Sequence, residues 1–141
     1  MHIRKAFRED AAALADLATQ LGYPSTPEQL AARLAALGGD GHAVLVAEED
    51  GKVTGWIHVL ARQHLETDPF SEIGGLVVDE ACRGRGVGRV LVAAAVAWAR
   101  EHGFGELRVR SNVVRTDAHR FYEREGFERR KTQVVLGRRL A

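Results

Sequence analysis

The stretch "LVVDEACRGRGVG", residues 76–88, decides how the rest of the chain is read. An apolar run gives way to a loop in which Gly84, Gly86 and Gly88 are interleaved with Arg83 and Arg85. The run before it, "SEIGGLVVDE", is continuous enough for a central strand. The run after it, "GVGRVLVAAAVAWAREHG", places Val87, Val90, Leu91, Ala94 and Trp98 on one helical stripe, with Gly103 as its stop. The loop therefore joins a strand end to a helix N-terminus. Backbone N–H groups without partners collect there, and the helix dipole adds partial positive charge. Glycines let the chain curl around an anion, so the loop reads as a phosphate or pyrophosphate cradle. It lacks the Gly-Lys-Ser/Thr ending of a nucleotide triphosphatase loop, and its spacing is not that of a dinucleotide fingerprint.

Working outward, "HIRKAF" reads as a first strand and "REDAAALADLATQLG" as a helix. "STPEQLAARLAALGG" is a second helix, with Thr26 as N-cap and Pro27 as its first residue. Asp50-Gly51 is the turn of a hairpin between two β-rich runs. "GELRVRSN" is a strand that should lie parallel to the central one. "TDAHRFYEREG" is a short helix, and "FERRKTQVVLGRRL" a last strand pair or hairpin. The expected fold is α/β: a mixed central sheet of about six to seven strands flanked by four helices, in a single domain over residues 1–141.

Composition bounds the function. The 141 residues carry 20 basic and 19 acidic side chains, net charge +1. That balance argues against nucleic acid or an anionic membrane as main partner. The longest apolar stretch, residues 90–99, is too short to span a bilayer. "MHIRKAFRED" lacks the apolar core of a signal peptide, and the one cysteine forms no internal disulfide. A cytoplasmic location is the expectation. The six histidines show no zinc-ligand spacing, so no metal is expected.

Read as Arg-x-x-Gly-x-Gly, residues 83–88 resemble the pyrophosphate loop of the GNAT superfamily of N-acetyltransferases. "AHRFYEREGF", residues 118–127, resembles that family's last helix, and the order of elements is similar over nearly the whole chain. The resemblance implies a GNAT-like acyl-CoA N-acyltransferase fold and acetyl-CoA as donor co-substrate. It assigns the pyrophosphate to Arg83, Gly84, Arg85, Gly86, Val87 and Gly88, with Arg89 beside them. It assigns the amide-bearing pantetheine arm to the backbone of Leu76, Val77 and Val78 by strand addition. Gly74-Gly75 suit a bulge, a close approach of the ligand or a packing accommodation.

Tyr122 matches the family's general acid, which protonates the departing sulfur. Glu72, eleven positions before Arg83, matches the glutamate base of the protein-lysine acetyltransferases; it also reads as a solvated residue at the start of its strand. Asp79 and His119 are weaker alternatives. Asn112 and Phe121 are the remaining cofactor contacts implied, although Asn112 stands six residues before Ala118 where the family spacing selects Arg115. The acceptor implied is a primary amine of a small molecule or peptide, drawn by Glu66, Asp68 and Glu72. A homodimer through the C-terminal strands is common in the family. A CoA-binding sensor without transferase activity is the alternative function.

Overall fold

The structure, a computed structural model, describes residues 1–141. The chain divides into two compact units, Met1–Arg110 and Ser111–Ala141.

The first unit holds one five-stranded sheet in the order β1-β2-β3-β4-β5. Its strands are β1 (His2–Lys5), β2 (His42–Glu49), β3 (Lys52–Arg62), β4 (Phe70–Val78) and β5 (Leu107–Val109). The first four pair antiparallel and β5 joins β4 in parallel, so the sheet is mixed. Asp50 (φ 52°) and Gly51 (φ 76°) turn the β2–β3 hairpin with the left-handed backbone that matches strand twist. A bulge between Ala47 and Glu48 then shifts its register.

Three helices complete this unit: α1 (Ala11–Leu21), α2 (Pro27–Ala36) and α3 (Val87–Glu101). Residues 8–10, expected to open α1, form a separate 3-10 turn. Arg4 of β1 pins that turn through two bonds to Asp10, at 2.8 and 3.0 Å, while its Nε reaches Glu48 at 2.5 Å. Thr26 caps α2 in a reciprocal box: its hydroxyl accepts from Gln29 N, and Gln29 Oε1 accepts from Thr26 N.

Neighbouring residues of a strand point to opposite faces of a sheet. On β3, a Cβ at Gly55 would meet Val87 and Leu91 of α3, whereas the Trp56 indole donates to the Leu14 carbonyl of α1 at 3.3 Å. The sheet is thus sandwiched, α3 on one face and α1 on the other, with α2 packed on α1. The core follows: Leu14, Leu17, Val46, Ile57, Val59, Val87, Leu91 and Ala95 are buried. The expected stripe of α3 holds at Val87, Leu91 and Trp98, but Val90 is exposed, and Val92, Ala95 and Ala99 are buried instead.

The second unit carries α4 (Thr116–Arg124), whose N-cap is Arg115 and which Gly126 closes at φ 93°. The expected sheet of six to seven strands is corrected here to five, because residues 127–141 form no strand. The charges from Glu128 to Lys131 and the Gly137-Arg138-Arg139 run leave only a short β-rich core at residues 132–136. A lone pair of that length has no second layer to bury its apolar side, and Val134, Val135 and Leu136 are exposed.

Gly55→Ala tests how tightly α3 seats on the sheet. Its Cβ would lie 2.9 Å from the Val77 carbonyl oxygen and 3.1–3.2 Å from Leu91 and Val87. Backbone cannot rotate away, so the variant is expected to lose about 1–3 kcal/mol of stability, read as a lower urea midpoint at unchanged slope.

Candidate active site

β4 is held differently along its two edges. Its inner edge pairs with β3 from Arg62↔Phe70 to Gly55↔Val78. One residue, Gly74, is left over between His58↔Gly75 and Val59↔Ile73, which makes the bulge. Its outer edge pairs with β5 only at Ser71, Glu72 and Ile73. From Gly74 to Val78 no strand lies beside it, so main-chain groups of Leu76, Val77 and Val78 line an open edge. Such an edge accepts an extended amide-bearing ligand as an added strand. The two glycines also make room for rings: a Cβ at Gly74 would sit 3.0 Å from His58 Nδ1, and one at Gly75 3.0 Å from the Trp56 ring.

Beyond Val78 the chain turns into the glycine loop. Asp79 N donates to Thr54 O, and the Asp79 carboxylate accepts from Ala81 N at 3.1 Å, capping a 3-10 turn at Glu80–Cys82. The Ala81 N–H first, and Lys52 after it, hold that carboxyl below the usual carboxylate range against the effect of burial. Asp79 is therefore occupied as a cap. Gly84 (φ 81°) and Gly86 (φ 82°) take left-handed backbone in open space, so they serve the turn and not close packing. Gly86 is the N-cap of α3, one residue later than the expected start leaves it, and the helical ladder opens with Val90 N to Gly86 O at 3.1 Å. The first N–H groups, those of Val87 and Gly88, have no carbonyl one turn back. They face the end of the loop together with the positive end of the α3 dipole. Arg85 is drawn to Glu49 of β2 at 3.0 Å, while Arg83 is exposed. The fit to a pyrophosphate thus rests on backbone N–H groups at a curled loop, continuous with the open edge of β4.

On the α1 face of the sheet, Glu72 is buried between two guanidinium groups. Arg62 Nε lies 3.1 Å from one carboxylate oxygen and Arg110 Nε 3.1 Å from the other. Further along this face, His42 Nδ1 and His58 Nε2 are 3.0 Å apart with stacked rings. Burial first, and the charge of His42 second, hold the His58 imidazole below its ordinary 6.5. Nothing in the sequence alone marked this pair. Two hollows flank the sheet. One of about 210 Å³ is lined by Lys5, Leu34, Leu37 and His42. One of about 670 Å³ is lined by residues 67–70, 102–106 and Arg108. The larger lies where β4 and β5 begin, at the opposite end of β4 from the glycine loop.

In the second unit, Tyr122 of α4 packs edge-on against Phe121 (5.1 Å between ring centres) and Phe127 (5.5 Å). Burial raises its phenol above the ordinary 10, partly offset by Arg115, so it carries its proton at neutral pH. Asn112 is exposed; its side chain accepts from Val114 N at 3.2 Å and its carbonyl meets His119 Nε2 at 2.9 Å. Asn112 and His119 thus shape the turn into α4.

Two variants check these local readings. Gly86→Ala has space for its methyl but forces an L-residue to φ 82°, and is expected to cost about 1–2 kcal/mol in thermal or urea unfolding. His58 binds its proton less readily folded than unfolded. The stability this gives is full above pH 6.5 and is lost as pH falls below it. The midpoint of thermal unfolding should therefore fall more steeply from pH 7 to pH 5 in the parent chain than in His58→Gln.

The comparisons agree with this geometry. The sequence model of the acetyltransferase (GNAT) family matches residues 8–127. An aminoglycoside N(6')-acetyltransferase type 1 of Stenotrophomonas maltophilia is 34% identical over 139 residues, covering 95% of this chain and 90% of that protein. A mycothiol acetyltransferase of Sanguibacter keddieii is 35% identical over 95% of this chain, which spans 46% of that longer protein. Among solved structures, an apo aminoglycoside 6'-N-acetyltransferase from Acinetobacter haemolyticus superposes with TM-score 0.87 at 21% identity over the whole of both chains. No helix is long and apolar enough to cross a membrane. With a family match over most of its length and a relative of nearly the same extent, the chain belongs to the GNAT acetyltransferase family and is an acetyl-CoA-dependent acetyltransferase.

Proposed function

We propose that this chain moves the acetyl group of acetyl-CoA to a primary amine of a small molecule or peptide by direct attack, with residues 1–141 acting as one domain. The observation that carries the reading is the continuity of the open edge of β4 with the α3 N-terminal loop. In this reading the pyrophosphate lies on the backbone of residues 83–88, with Arg89 beside it, and the pantetheine arm runs along Leu76, Val77 and Val78. Asn112 and Phe121 are the further cofactor contacts. The amine forms its C–N bond to the acetyl carbon, the C–S bond breaks, and the amine proton must leave. Tyr122 donates a proton to the departing sulfur; the raised phenol supports this, since it keeps that proton until the thiolate develops. Glu72, the carboxylate on β4 that the family resemblance offers as base, is held in place by two arginines.

For the acceptor, a cationic amine of the aminoglycoside type is favoured. Glu66 and Asp68 are acidic, and the Stenotrophomonas maltophilia relative is an aminoglycoside acetyltransferase. A homodimer belongs to the same proposal, supported by the exposed Val134, Val135, Leu136 and Leu140. So does a cytoplasmic location, supported by the free thiol of Cys82.

A thiol-release assay over aminoglycosides, polyamines and lysine peptides tests the reaction, with calorimetric titration of acetyl-CoA as the binding control. Tyr122→Phe is expected to lower kcat by about 10²–10⁴-fold while leaving acetyl-CoA affinity near that of the parent. Acetyl-CoA binding with no amine acetylated would instead support a CoA-binding sensor.

A further inference from the structure

The amine that attacks a thioester is an ammonium at neutral pH, since its pKa is about 10. Some group must take that proton. Glu72 is poorly placed to do so: each of its oxygens already faces an arginine Nε at 3.1 Å. Both oxygens are thus taken up by guanidinium groups and neither is left open to an incoming ammonium.

We propose that His58, backed by His42, takes the proton from the acceptor amine and passes it to the hollow beneath α2. This rests on the reading that the thioester arm lies along β4. From Val78 to Gly74 the strand covers about 13 Å at its usual rise. On that reading an arm that enters from the glycine loop and runs the length of the open edge brings its reactive carbon to the bulge. His58 is the titratable side chain there. Its Nδ1 lies 3.0 Å from where a Cβ on Gly74 would stand, as does Leu60 Cδ2. Its other nitrogen, Nε2, is 3.0 Å from His42 Nδ1. His42 in turn lines the hollow of about 210 Å³ with Lys5, Leu34 and Leu37. One end of the pair thus meets the bulge and the other meets an opening to solvent.

The transfer balances without any further reagent. His58 Nδ1 accepts the ammonium proton through its lone pair, freeing the amine to attack. The proton on His58 Nε2 passes to His42 Nδ1, and His42 releases one from Nε2 to water in the hollow. Both rings are then neutral in exchanged tautomers. Before the next turnover His42 Nε2 takes a proton from water in the hollow, His42 Nδ1 returns one to His58 Nε2, and His58 Nδ1 gives up its proton to solvent once product has left.

The surroundings suit a neutral resting state. The buried side chains of α1 are Ala11, Leu14, Ala15, Leu17 and Ala18, all apolar. Leu34 and Leu37 are what α2 and its end contribute to the hollow. The titratable or charged groups nearby are His42 on β2, Glu72 and its arginines along β3, β4 and β5's end, and Lys5 on β1. Burial and His42 lower the His58 pKa, so the unprotonated form is ready at pH 7, and activity should fall as pH drops through that lowered value.

The test is the pH profile of kcat/KM from pH 5.5 to 9.5 with the amine turned over fastest in the panel above. Parent, His58→Gln, His42→Gln and Glu72→Gln are compared, each with its acetyl-CoA Kd. His58→Gln is expected to lose about 100-fold or more in kcat, keep the parent Kd for acetyl-CoA and lose the acidic limb. His42→Gln should shift that limb and lose less rate. Glu72→Gln should keep the limb whatever its effect on rate. A His58→Gln chain with the parent limb and rate, a limb lost only in Glu72→Gln, or a parent chain that binds acetyl-CoA but acetylates no amine would overturn the proposal. Failure of the parent to bind acetyl-CoA would instead overturn the reading of β4 and the loop on which it rests.

Discussion

β4 is fastened to β3 along its whole length and to β5 along only its first few residues, and the features of the site follow from that asymmetry. Were β5 to continue beside β4, no main-chain edge would remain for a ligand. Were the bulge at Gly74 removed, every β4 residue beyond it would change face, because side chains alternate with a period of two. Leu76 and Val78 would then turn from the α3 side to the α1 side, and Val77 would leave its buried place across from Trp56. The extra residue falls where the parallel pairing ends, and it reconciles a core-facing register on both sides of the break.

Charge is arranged to support backbone chemistry and not to replace it. Arg85 is tied to Glu49, and Arg62 and Arg110 are tied to Glu72. The glycine loop is left to offer N–H groups and a helix dipole, which are fixed in direction and bring no long side chain to immobilise. Glu72 is a buried carboxylate made tolerable by two guanidinium partners. Removing both would leave a buried carboxylate without a partner, a cost well above that of a surface pair.

Much of this was legible in the chain. The Asp50-Gly51 turn, the Thr26 cap and the strand–loop–helix around residues 76–88 are local signals, and each stands where spacing puts it. The parallel partner of β4 followed from the intervening helix. The His42–His58 contact was not legible, for a definable reason. A regular two-residue hairpin centred on Asp50-Gly51 would set His42 opposite Val59, with His58 on the other face. The bulge between Ala47 and Glu48 moves His42 opposite Leu60, and the two rings come to one face. Bulges are set by packing across the sheet, which a single strand's pattern does not carry. The C-terminal strands failed for the converse reason: residues 132–136 have strand composition, but composition supplies no partner.

Cys82 ends the short turn before Arg83, and it is both the chain's one thiol and a buried one. A thiol reagent reaches such a sulfur only during local opening, so its reaction rate measures how often that turn unfastens. The protein thus carries its own clock for the motion of the loop. Any anion that clamps the loop should slow that clock, whether or not it is ever turned over.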